Sequence, residues 1–285
     1  MRRFNLIIIA YLLAAVVAAL VYLTISATPF WRILYADIAA TLVIFGFSYH
    51  YQNSSFYDAY WSVAPIVIAT TLLFTGSAGN SIRELVVLLL IALWGVRLTW
   101  NWGSGWQGIQ HEDWRYIQLK AQTGRFYWLV SLLGIHLFPT VIVLVGCAPV
   151  FIVFEYPASL NAIDLAALVL TICSITLEWR ADRELHWFRA TRASDQEILK
   201  TGVWAWCRHP NYLGEIGFWL GLFLFGFAAH GGATDLMKAG PICMILLFLI
   251  ISIPMIDKKL CASKPGYDTY KRQSFALIPL PRFWR

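Results

Sequence analysis

The stretch NLIIIAYLLAAVVAALVYLTIS, residues 5–26, runs for 22 residues without a charged side chain. Hydrocarbon about 30 Å thick is crossed at about 1.5 Å per residue, so about 20 apolar residues span it with every backbone polar group satisfied inside the helix. Seven further segments follow the same rule, near 33–51, 59–75, 82–101, 127–150, 161–179, 211–229 and 241–256. Pro65 and Pro254 interrupt the third and the eighth, both short, which makes seven the alternative count. The expected fold is all-α, a polytopic transmembrane helix bundle.

Composition supports that reading. Residues of the AVILMFWYC set make up 59% of the 285-residue chain and charged residues 13%, against about 45–50% and about 25% in soluble proteins. Spread over the whole length, the apolar blocks exclude a water-soluble enzyme, and disorder, collagen and coiled coil are excluded with it. The net charge of +6 comes without a basic stretch carrying a nucleic-acid-reading motif, so nucleic acid is not an expected partner. Five scattered cysteines, none in C-x-x-C spacing, indicate neither a disulfide framework nor a metal site.

Eighteen of the 22 basic residues fall on alternate connections, leaving Arg32, Arg83 and Lys238 on the other side and Arg97 within a helix. Because Lys and Arg stay cytoplasmic in short loops, both termini are expected in the cytosol. A multi-pass protein, expected in a bacterial inner membrane, follows. No repeat and no Gly/Ser-rich or Pro-rich linker divides the chain, so residues 1–285 are expected to form one membrane domain.

Ionisable residues near a span are costly, and each calls for a partner or a task. In LEWRADRELHWFRATR, Glu178, Asp182, His186 and Arg189 recur at steps of four, four and three, on one helical face. Such a face is either a helix extension laced by ion pairs or a site whose acids take hydroxyls and whose guanidinium takes a phosphate. TGVWAWCRHPNYLGEIGFWLG, residues 201–221, gathers Arg208, His209, Asn211, Tyr212 and Glu215 at the start of an apolar run. Pro210 suits the first turn of a helix, which puts His209 near the cap, and a helix N-terminus beside Arg and His suits anionic groups. In the C-terminal stretch Tyr267, Tyr270, Lys271 and Arg272 either stack on a ligand ring or form a lipid-binding amphipathic segment. Arg97, amid Trp94, Trp100, Trp102 and Trp106, is read as snorkelling to the interface.

WGVRL (94–98), HEDWRY (111–116), EWRADRELHWF (178–188), GVWAWCRHPNYLGEIGFW (202–219) and GYDTYKRQSFALIP (266–279) together resemble the steroid 5-alpha-reductase superfamily, specifically its bacterial relatives of undefined substrate. The resemblance covers roughly 58–280 and leaves 1–50 unmatched. It implies a helical membrane enzyme holding NADPH in a pocket open to the cytosol. Asn211 and Glu215 look like the positions at the nicotinamide end, and Asp182 and Arg189 like those at ribose and phosphate. Glu178 stands where that family carries asparagine. Arg208, His209, Tyr212, Tyr267, Tyr270 and Arg272 fall within matching segments as cofactor-binding candidates. At the substrate end Asp58 takes the position of the family's acid, and Trp94 that of its tyrosine. An indole N–H donates one hydrogen bond but supplies no proton as a phenol can. Asp257, Lys258 and Lys259 replace histidines of the steroid reductases.

The expected activity is NADPH-dependent reduction of an activated C=C bond in a lipophilic, steroid-like or isoprenoid, substrate reached from membrane lipid. A donor near Asp58 would stabilise the enolate that develops. Similar Arg-His-Pro segments and tyrosine-rich tails occur in isoprenylcysteine carboxyl methyltransferases, so methyl transfer from S-adenosylmethionine is the alternative. A transporter or structural membrane protein, with Arg97, Asp182 and Glu215 lining a pathway or pairing, is the non-enzymatic reading.

Overall fold

The structure is a computed structural model that describes residues 4–79 and 81–280. Arg2, Arg3, Arg282 and Arg285, used above for orientation, lie outside the described residues. The described residues form helices and no strand. Helices α1 (Asn5–Thr24), α2 (Pro29–His50), α3 (Tyr60–Thr75) and α4 (Ile82–Gly105) are followed by α5 (Trp114–Thr123), α6 (Tyr127–Val130), α7 (Phe138–Gly146) and α8 (Ala148–Glu155). Then come α9 (Ala162–Thr191), α10 (Pro210–His230), α11 (Asp235–Leu246), α12 (Ile253–Ser263) and α13 (Tyr267–Arg272). A 3₁₀ turn covers Ser54–Tyr57, and π-helical turns cover Ser131–Leu137 and Leu247–Ser252.

Seven stretches among the described residues are long and apolar enough to cross a membrane, the alternative count given above. The segment expected at 82–101 does form a helix, α4, but is not among the seven. Pro65 and Pro254 do not end the spans they interrupt: Ser54–Thr75 and Asp235–Ser263 are both among them.

The chain divides into two compact units, one of residues 1–76 and 91–147, the other of 77–90 and 148–285. In the first, α1 packs on α2 through Ile7, Ala10, Ala14, Ala40 and Ile44, with Phe56, Tyr57, Tyr60 and Trp106 closing the core. Gly95 lets the second half of α4 approach the backbone of α3 at Ser62, where a Cβ would also lie 2.8 Å from Ile66 Cδ1.

In the second unit α9 and α10 form the principal pair. Small residues let membrane helices approach closely where lipid is as apolar as any side chain. Gly214, Gly217 and Gly221 of α10 face Glu178 and Ser174, Ser174, and Thr171 of α9, respectively. Gly226 does the same for Pro149 of α8, 2.8 Å from the position of an added Cβ. At the opposite end of α9, Asn161 and Asp164 form a capping box, and Asp164 also binds Arg83 Nε and Nη2 at 2.7 and 2.8 Å. Arg83 further donates to the Ala158 and Ser159 carbonyls, so both groups of this buried pair are satisfied.

Candidate active site

Helix α10 begins where the sequence places it, with Pro210 in its first turn and His209 as N-cap. The His209 side chain does not cap the helix. Its Nε2 lies 3.0 Å from Asp257 Oδ1, and its ring stacks on Tyr212 at 5.4 Å. Asp257 of α12, 1% exposed, is the hub of this corner. Arg208 Nη2 donates to its Oδ2 at 3.2 Å, Tyr267 hydroxyl to its Oδ1 at 2.8 Å, and Lys271 Nζ stands 3.8 Å away.

Arg208 also fastens the C-terminal segment. Its Nη1 donates to the carbonyls of Lys271, at 3.0 Å, and Ser274. The backbone N–H groups of Arg208 and His209 donate to Phe275 and Ala276 oxygens, each at 3.0 Å. Ala276 and Leu277 then pack with Ile216, Phe248 and Ile253. Tyr267 is buried beside the Asp257 carboxylate, and burial followed by that negative neighbour holds its phenol well above the usual range, so it stays a donor. Burial likewise pushes the Cys207 thiol up to about 11.

Two atoms of this corner find no partner. Arg208 Nε, a donor, and Asn211 Oδ1, an acceptor, are buried without a hydrogen bond to any described residue. An unmet buried polar atom costs free energy, and in native proteins each one calls for an explanation. Asn211 and Glu215 fall about 60° and 100° round the helix from Gly214, beside the seam with α9. Glu178, 2% exposed, lies on that seam with its Cγ 2.5 Å from the place a Gly214 Cβ would take. Glu215 is buried and accepts from Trp219 Nε1 at 3.1 Å. One end of the α9–α10 pair thus carries Glu178, Asn211 and Glu215, with Arg208 and its unmet Nε just ahead of α10.

The remaining candidates are distributed around it. Asp182 is half-buried and Arg189 exposed on the continuation of α9. Tyr270 is buried, its hydroxyl 3.4 Å from the Trp204 carbonyl and its ring edge-on to Tyr267. Arg272 is exposed and pairs with Asp268 at 2.6 Å. Among the described residues no group of His, Cys, Asp and Glu is arranged to hold a metal ion.

In the first unit Asp58 caps the 3₁₀ turn and accepts a hydrogen bond from the Tyr116 hydroxyl. Trp94 is fully buried. Tyr116 is a phenol that the sequence reading passed over, although HEDWRY contains it, because the acid and the phenol are separated by 58 residues. Asp257 was noted only as standing in place of a histidine; its role as a hub was not read for the same reason, its partners being 10, 48 and 49 residues away.

A helical multi-pass fold with a polar corner at the head of one span defines a polytopic membrane protein with a candidate ligand site. The chain belongs to the family described as protein of unknown function (DUF1295), which matches residues 44–274. It is 26% identical over 262 residues to an uncharacterized protein of the fission yeast Schizosaccharomyces pombe, covering 83% of this chain and 76% of that one. No solved structure matches.

Proposed function

We propose that this protein is an integral membrane NADPH-dependent reductase related to the steroid 5-alpha-reductase superfamily, acting on an activated C=C bond of a lipophilic substrate. The observation that carries the reading is the pair of unmet polar atoms at the head of α10, Arg208 Nε and Asn211 Oδ1. A donor and an acceptor left open three residues apart match an amide, which presents one of each, as the carboxamide of a nicotinamide does. Glu178 and Glu215 beside them suit hydroxyl or amide donors, and the basic residues Arg189 and Arg192 downstream on the α9 side suit phosphate.

If bound here, NADPH would supply the hydride needed at the carbon beta to a carbonyl, leaving a proton to be provided at the alpha carbon. The chain's own residues do the rest. Asn211 and Arg208 fix the amide; Glu215, itself held by Trp219, keeps its orientation. Asp257 holds Arg208, His209 and Tyr267 so that the head of α10 does not move. Within the first unit Tyr116 donates to Asp58 and supplies there a phenol, the group that Trp94 lacks.

The test is binding to the purified full-length protein in lipid nanodiscs. NADPH titrated by fluorescence and calorimetry should bind, and Asn211→Ala or Glu215→Ala should weaken it at least tenfold. Unchanged binding in both variants, or heat released by S-adenosylmethionine and none by NADPH, would overturn the assignment.

A further inference from the structure

Helix α9 has a second face that the candidate site does not use. Thr171, Ser174 and Glu178 turn toward α10, while Leu165, Val169 and Ile172 on the other side are exposed. At about 3.6 residues per turn, Trp179 and Arg183 continue the line of those apolar residues, with Arg180 and Trp187 at its edge, the whole stripe about 100° wide. Trp179, Arg180, Arg183 and Trp187 are all exposed. Two turns beyond Ile172 an aliphatic stripe thus becomes an aromatic and basic one.

That change falls where hydrocarbon gives way to headgroups. Counted from Ala162 at the helix start, Trp179, Arg180 and Arg183 stand about 26, 27 and 32 Å along the axis, and the hydrocarbon is about 30 Å thick. The 30 residues of α9 reach about 45 Å, the thickness of a bilayer with its headgroups. Trp187, 70% exposed, stands one turn beyond Arg183. Residues 161–177 contain no Lys or Arg, and at that end of the helix Arg83 is buried and engaged by Asp164 and two carbonyls. The stripe therefore presents its cations to one leaflet.

Snorkelling and an aromatic belt explain one Arg or one Trp at this depth, but not how these are arranged. Arg183 lies over the Trp179 ring, 5.2 Å from its centroid, a contact that covers part of the guanidinium without using its N–H donors, and no carboxylate among the described residues pairs with it. Arg180, its side chain 59% exposed, reaches Glu184 Oε1 at 3.4 Å, and the other oxygen of that acid is occupied by the Val203 N–H at 2.9 Å. Neighbouring cations are engaged by the protein: Arg192 pairs with Asp195, Arg272 with Asp268, and Lys264 donates to the Asp195 and Glu197 carbonyls. Two guanidiniums three residues apart on one rigid helix thus face lipid with no acid between them, and phosphate oxygens take the parallel N–H donors of such a fork. We propose that Trp179, Arg180 and Arg183 bind the headgroup of an anionic phospholipid of the cytoplasmic leaflet, its acyl chain lying along Ile172 and Val169. Net negative charge sets this lipid apart from a zwitterionic one, whose own ammonium offsets its phosphate. The stripe looks away from α10, so the lipid and the nucleotide proposed above take different sides of α9.

Native mass spectrometry of the full-length protein, titrated in detergent with phosphatidylglycerol and separately with phosphatidylcholine, tests the site. The unaltered protein should hold its first phosphatidylglycerol at least tenfold more tightly than its first phosphatidylcholine. The double variant Arg180→Gln with Arg183→Gln changes exposed side chains, so its melting temperature should stay the same while that preference falls at least fivefold. Inorganic phosphate or NADPH, added in excess over the lipid, should leave the phosphatidylglycerol in place, which separates a lipid site from one for a free anion or for the nucleotide. Equal retention of the two lipids, an undiminished preference in the double variant, or displacement by either soluble anion would overturn the proposal.

Discussion

Replacing Asp257 by alanine tests how the head of α10 is held. The carboxylate is 1% exposed and carries the Arg208, His209 and Tyr267 contacts at 3.2, 3.0 and 2.8 Å. Removing one partner of a buried ion pair costs about 3–5 kcal/mol, since the charge left behind is uncompensated, and each stranded neutral donor adds about 1–3 kcal/mol. These costs overlap because Tyr267 and His209 share one oxygen, so about 4 kcal/mol is the working figure. By the size scaling of folded chains that is on the order of 10 °C in melting temperature. The loss should be local first. Arg208 fixes Lys271 and Ser274, so the C-terminal segment should come free before the spans do. Heat-induced aggregation in detergent and trypsin cleavage after Lys271 are the assays, with Asp257→Asn, which keeps one acceptor for Tyr267, expected to fall between. A melting temperature unmoved by more than about 2 °C, with the segment as resistant to trypsin as before, would refute the hub.

Gly214→Ala should destabilise by about 1–3 kcal/mol, because the new methyl meets Glu178 Cγ at 2.5 Å and the Ser174 carbonyl at 2.8 Å, and should weaken nucleotide binding in the same titration. A neutral effect on both would mean that α9 and α10 do not close on each other there. Arg83→Lys should lower thermal stability nearly as much as Arg83→Ala, since an ammonium cannot serve Asp164 with two parallel bonds and also reach the Ala158 and Ser159 carbonyls. Full retention of stability by the lysine variant would show that charge alone suffices.

The helices were legible because length and apolar content announce them, and the head of α10 because Pro210 fixes a first turn. The Gly214–Gly217–Gly221 stripe that lets α10 lie close on α9 was not singled out, because its meaning depends on the Ser174 and Thr171 it faces. Asp257 and Tyr116 were not legible as partners. Their contacts join residues tens of positions apart, and nothing periodic links them. The buried hydrogen bonds of the first unit escaped for another reason: serine, threonine and tyrosine scattered through apolar segments read as neutral filler until Thr41 and Thr140, 99 residues apart, stand 2.7 Å from each other. Hydrogen bonds between weakly polar side chains leave little trace in hydropathy.

The knot around Arg208 also bears on biosynthesis. Its anchor at Ser274 lies 66 residues downstream, so a ribosome that has just delivered α10 to the translocon has made a helix head whose guanidinium has nothing to hold. The corner can assemble only after α11 and α12 have been inserted, which makes it the last part of the molecule to set and a natural place for quality control to look.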